Sequence, residues 1–214
     1  PPPPPSFFFT QMPASELPLR RVGSEMCIRD RFGLIDSLYE KSKLRLAVTL
    51  VGLFGLRPAE LKAMRVENGK LKVGNVKRNR ATAKGPKPDR IAYPLEIPEL
   101  AGAAGQALAQ LSSGLVKLPV GILNAQDFKT CGHTFRQYLD RHPYWAALVK
   151  ANPGLSPYSL RHGYAYRGAL AGIPLRQLAA SMGHDVRTDM NNYCLLYTSP
   201  SPRDVEESRM PSAA

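Results

Sequence analysis

The sequence predicts a mainly α-helical domain carrying one small antiparallel β-sheet. Two patterns predict it. Apolar residues recur at near-helical spacing in residues 41–56 and again through 132–183, and glycines stand at the expected helix ends. Between these stretches, residues 66–77 and 90–97 switch to the alternation of half-buried strands, with Asn68-Gly69 as a turn signal.

In KSKLRLAVTLVGLFGL (41–56), Leu44, Ala47, Val48, Val51 and Leu53 form the apolar pattern, and the helix is expected to end near Gly55. Arg57-Pro58 opens a second expected helix, RPAELKAMR, because the missing proline N–H costs nothing in a first turn. Arg57 then stands at a helix start, where backbone N–H groups favour an anion. Glu60, one turn on, either braces the Arg57 guanidinium or is simply solvated.

Leu71 and Val73 fall on one face of the first strand region, RIAYPLEI (90–97) is the further strand, and RNRATAKGPKPD (78–89) is a long polar hairpin loop between them. AGAAGQALAQL (101–111) reads as a helix weakened by glycine, and residues 112–122 give no clear signal. GHTFRQYLDRHPYWAALVKANPG (132–154) is helical and broken or kinked near Pro143, with Phe135, Tyr138, Leu139, Trp145 and Leu148 as core. PYSLRHGYAYRGALAG (157–172) and PLRQLAASMG (174–183) complete a helical C-terminal half.

The two ends read as foreign. One DNA stretch encodes CLLYTSPSPRD (194–204) on one strand and VGSEMCIRD (22–30) on the other, and it resembles the adapter of a transposase-based sequencing library. Residues 1–31 and 194–214 are therefore expected to be adapter-like flanks, and 32–193 a truncated catalytic domain. Tyr193 reads as native, since the junction leaves a codon beginning TA, which encodes only tyrosine or stop.

The flanks carry equal numbers of acidic and basic residues, so the whole excess of +12 falls within 32–193 and favours a polyanionic partner. Of three cysteines only Cys131 lies in that region, which leaves no disulfide framework and no cysteine-based zinc site. His133, His142, His162 and His184 make no metal spacing, and the longest apolar run is too short to span a bilayer. The expectation is a cytoplasmic, DNA-facing protein without metal or other cofactor.

The chemistry lies in GLRPAEL (55–61), SLRHGYA (159–165) and MGHDVRTDMNNY (182–193). Two guanidinium groups, Arg57 and Arg161, suit the non-bridging oxygens of one phosphate. A phenol hydroxyl, that of Tyr193, suits covalent attack on its phosphorus. Arg161 precedes His184 by twenty-three positions, and His184 precedes Tyr193 by nine.

This order and spacing, over roughly residues 41–193, resembles the catalytic domain of tyrosine recombinases, the phage-integrase family. The resemblance implies site-specific cleavage and rejoining of double-stranded DNA through a 3′-phosphotyrosine, by an enzyme encoded by a bacterium, phage or other mobile element. It also implies partner protomers in a synaptic tetramer. Arg57 and Arg161 would stabilise the transition-state charge, and His184 would bond a non-bridging oxygen or assist Tyr193. A lysine linked to the sheet would protonate the leaving 5′ oxygen: Lys77 ends the second strand, Lys84 matches members with short hairpins, and Lys87 is a further basic residue there. His162 would pack and orient.

The departure is Tyr158, which stands where members mostly have histidine. A phenol can donate a hydrogen bond to phosphate but is a poor base near neutral pH, with a reference pKa of about 10. Two other readings remain open: DNA relaxation like that of a type IB topoisomerase, and a non-catalytic DNA-binding relative.

Overall fold

The computed structural model describes residues 33–39, 42–76 and 88–187. Helix α1 spans Lys43–Phe54 and is capped at both ends. The Ser42 hydroxyl accepts the Arg45 N–H at 3.0 Å, and Gly55 closes the helix in the left-handed region at φ 64°. Every residue from Leu46 to Phe54 is buried, so α1 forms the axis of the core. Helices α2 (Ala103–Ser113) and α6 (Tyr158–Leu170) pack against it.

The expected helix RPAELKAMR is a short 3-10 turn, Pro58–Lys62, and the chain enters strand β1 (Met64–Glu67) directly afterwards. Helix propensity is overridden because Met64 and Arg65 pair with Val73 and Lys72 of β2 (Lys70–Val73). Asn68 (φ 51°) and Gly69 (φ 70°) make the tight turn between these strands. β3 (Arg90–Ala92) pairs with β2 and completes a three-stranded antiparallel sheet in the order β1-β2-β3. β3 stops well short of the expected 90–97, two residues before Pro94.

Leu71, Val73 and Ala92 are buried on the inner face of the sheet, as the alternation requires. Residues 78–87 of the expected hairpin loop 78–89, and Lys77 before it, lie outside the described residues.

The remaining chain is helical: α3 (Val120–Leu123), α4 (Phe128–Asp140), α5 (Pro143–Ala151), α6, and α7 (Leu175–Met182). Pro143 does break the pattern, and it does so as the first residue of a new helix. Phe135, Leu139 and Trp145 are fully buried, which places these side chains in the core. The fold is thus mainly α with one small antiparallel sheet. No described helix is long and apolar enough to cross a membrane.

α4 packs on the 3-10 turn, and α7 packs on β3 and α6. A second small core of Tyr164, Ala165, Leu178 and Met182 seals this last junction. These packings bring residue 57, residue 90, the first turns of α6 and the end of α7 to one place.

Candidate active site

Glu60 lies at the centre, with 1 % of its side chain exposed. One carboxylate oxygen accepts from Arg57 Nη1 at 2.6 Å and from Arg90 Nη1 at 3.0 Å. The other accepts from the Arg57 backbone N–H and from Arg90 Nη2, both at 2.7 Å, with Arg161 Nη1 at 3.6 Å. Glu60 therefore braces Arg57, which decides the alternative left open by the sequence. It also occupies the backbone N–H at the start of the turn that the sequence offered to an anion.

The same three arginines each donate to one of three successive carbonyls at the end of α7. Arg90 Nε reaches Ser181 O at 2.9 Å, Arg161 Nη2 reaches Met182 O at 2.6 Å, and Arg57 Nη2 reaches Gly183 O at 3.2 Å. The last carbonyls of a helix have no partner within it and carry the negative end of its dipole, so guanidinium groups suit them. Gly183, at φ 67°, ends the helix, and His184 follows with Nε2 2.7 Å from Arg161 Nη2.

Arg161 is completely buried. Its Nη1 also donates to the Gly55 carbonyl, while Nε finds no acceptor among the described residues. Burial, and next the neighbouring charge of Arg57, push its guanidinium down to about 10, with Glu60 acting against them. It thus stays charged at neutral pH. Burial alone would raise the Glu60 carboxyl, but Arg90 first, then Arg57 and Arg161, hold it below its ordinary value.

Among the described residues Glu60 is the one carboxylate within ion-pair distance of this arginine group. Three positive charges against one negative leave an unbalanced excess in a largely dry place. Arg57 and Arg90 are each about one-seventh exposed, at 15 % and 14 %, so the group opens to solvent on their side. An anion with several oxygens is what this arrangement would hold.

Tyr158 begins α6 one turn before Arg161 and is half-exposed. Its ring lies 5.8 Å from that of His162, tilted by 54°. His162 itself is exposed, and this ring pair joins it to Tyr158. Arg57, Glu60, Arg161 and His184 are therefore brought together, with Tyr158 beside them. Lys77, Lys84, Lys87 and Tyr193 lie outside the described residues. No group of His, Cys, Asp or Glu among the described residues could hold a metal ion.

Arg90 was not singled out from the sequence. A signal existed: β-register sets Arg90 opposite Val73 and Ala92 opposite Leu71, the buried face. An arginine on the inward face of a short strand needs a buried partner. Ser181 was also missed, and its hydroxyl accepts the Tyr93 N–H at 3.0 Å and meets the Tyr164 hydroxyl at 2.8 Å.

No protein-family model and no curated protein matches the chain. Among solved structures it is similar to the XerH site-specific recombinase bound to difH substrate in a pre-cleavage complex, at 17 % identity and a TM-score of 0.46 over 85 % of this chain. It is also similar to XerH in a post-cleavage complex with palindromic difH substrate, at 16 % identity and 0.44 over 85 %. A third is a protelomerase covalently complexed with substrate DNA, at 21 % identity and 0.44 over 89 %. The chain spans about half the length of the XerH structures, 51 % and 50 %, and 68 % of the protelomerase.

Proposed function

We propose that residues 32–193 form the catalytic part of a tyrosine recombinase that cuts and rejoins double-stranded DNA. The observation that carries this reading is the buried arginine group: Arg57, Arg90 and Arg161 share the single carboxylate of Glu60. A phosphodiester offsets part of this excess positive charge and presents non-bridging oxygens that planar guanidinium groups match.

In the proposed reaction the Tyr193 hydroxyl gives up its proton to His184 or to water and attacks phosphorus, and the 3′-phosphotyrosine bond forms as the bond to the 5′ oxygen breaks. Lys77, Lys84 or Lys87 gives that oxygen its proton. The free 5′-hydroxyl of a partner strand then attacks the phosphotyrosine and releases Tyr193. The bond energy is kept in the ester, so neither ATP nor a metal is required. Arg57 and Arg161 stabilise the charge that develops on the phosphoryl oxygens; removing one such preorganised donor typically costs about 10²–10³ in rate. Tyr158 contributes a hydrogen bond to the phosphate, and His162 orients it.

The partners in this reading are DNA and further protomers in a synaptic tetramer, in the cytoplasm of a bacterium, with the gene borne by a phage or other mobile element. Binding should be steeply salt-dependent: some six phosphate contacts lose about 10³ in affinity between roughly 50 and 200 mM salt. A non-catalytic DNA-binding relative is the second reading, favoured by the complete burial of Arg161 and by Tyr158.

Covalent trapping on nicked suicide duplexes of randomised sequence tests both, comparing wild type with Tyr193→Phe. A denaturation-resistant adduct present in the wild type and missing from Tyr193→Phe supports the recombinase. An adduct that survives in Tyr193→Phe moves the chemistry to another residue. Duplex binding with no adduct in either protein supports the non-catalytic relative.

A further inference from the structure

Arg90 makes three bonds that no other side chain in the site could make together. Its two terminal nitrogens take the two oxygens of Glu60, at 3.0 and 2.7 Å, while Nε takes the Ser181 carbonyl at 2.9 Å. Those partners belong to separate parts of the fold. Glu60 lies in the turn that presents Arg57, and Ser181 lies two residues before the helix stop that leads to His184. Arg90 itself opens β3, directly across from Val73 at the end of β2. It therefore stands where the chain re-enters the sheet after the segment that contains Lys77, Lys84 and Lys87, which lies outside the described residues.

The local packing is built around this residue. A Cβ on Gly183 would lie 2.9 Å from Arg90 Cδ and Nε and 3.0 Å from Cζ, so the chain passes the guanidinium where only glycine fits. Tyr93, on the same strand segment, donates its N–H to the Ser181 hydroxyl and so repeats the link between β3 and α7. A carboxylate held at both oxygens by a planar fork is fixed in orientation as well as in position.

We propose that Arg90 is a positioning residue for the phosphate site: by gripping Glu60 and Ser181 at once, it fixes the spacing between Arg57 and the helix end that carries Arg161's partner, His184. This rests on the reading of the arginine group as a phosphate site. Arg90 acts through Glu60 and the α7 end, because its Nε and both terminal nitrogens are committed to them; the partly exposed Arg57 makes the contact to phosphate, and the buried Arg161 adds its charge from behind.

The test measures binding of inorganic phosphate to the full chain, as wild type, Arg90→Met and Arg90→Lys. Arg65→Met serves as control, since Arg65 is a half-exposed strand arginine that pairs with Asp89 and Glu67. The melting temperature of each variant without phosphate is recorded, so that affinity is compared only among chains that fold.

Arg90→Met is expected to bind phosphate about tenfold more weakly or worse, the size of one lost charge-assisted bond. Arg65→Met should bind like wild type. Arg90→Lys, which keeps the charge and loses the fork, should remain weaker than wild type. Lysine restoring full affinity would show that charge alone matters and would overturn the positioning role. So would a folded Arg90→Met with wild-type affinity and merely a lower melting temperature. If Arg90→Met does not fold, the lysine variant decides. A wild type that binds no phosphate overturns the phosphate site itself, and Arg90's role with it, whereas failure in the variants alone concerns Arg90.

Discussion

Arg161 Nη2 lies 2.7 Å from His184 Nε2, and the direction of that bond follows from the chemistry of its donor. A guanidinium has hydrogen-bond donors and no acceptor, so the imidazole nitrogen must accept. His184 in the unliganded protein is thus the tautomer with its proton on Nδ1. Nitrogen-15 NMR of the imidazole at neutral pH should show an unprotonated Nε2 that becomes protonated or displaced when a duplex binds. A proton on Nε2 in the free protein would contradict the bond.

Glu60 balances three arginines from a buried position, so its removal should be costly. Glu60→Gln is expected to destabilise the chain by about 3–5 kcal/mol in urea unfolding, because uncompensated charges stay buried. The pH dependence has a definite sign. The folded carboxyl is held below 4.5, so its contribution is complete above that value and is lost as pH falls through the lower folded value. Glu60→Gln should flatten that part of the acid limb, and an unchanged limb would assign the acid sensitivity elsewhere.

Arg161→Lys tests the buried guanidinium. One ammonium cannot span Gly55 O on one side of the fork and Met182 O with His184 Nε2 on the other. Single-turnover adduct formation should fall by about 10²–10³ with little change in duplex affinity. A rate equal to wild type would remove Arg161 from the chemistry.

Gly183 and Gly172 form a matched pair, both at φ 67°. Alanine at either should cost about 1–2 kcal/mol for the left-handed backbone. Nothing lies within 4 Å of a Cβ at Gly172, whereas one at Gly183 meets Arg90. Thermal unfolding should show the larger loss for Gly183→Ala, and the difference measures how firmly Arg90 is held.

Helices whose ends carry local signals were legible from the residues alone. Gly55 ends α1, Pro143 interrupts the helical pattern and Gly183 ends α7, because caps and proline act through neighbouring backbone groups. The same locality made the Asn68-Gly69 turn and the inward Leu71 and Val73 legible. Arg57, Arg161 and His184 could be named together by motif and spacing, although that spacing says nothing of distance in space.

The remaining features depend on contacts between residues distant in sequence. RPAELKAMR became a 3-10 turn because pairing with β2 captured Met64 and Arg65, and the β2 contacts outweigh a weak local preference. Arg90 became the third guanidinium on Glu60, 30 residues away in sequence, and met Ser181 across 91 residues. A carboxylate and a row of helix-end carbonyls attract any guanidinium brought within reach, and which one arrives depends on how β3 packs on α7.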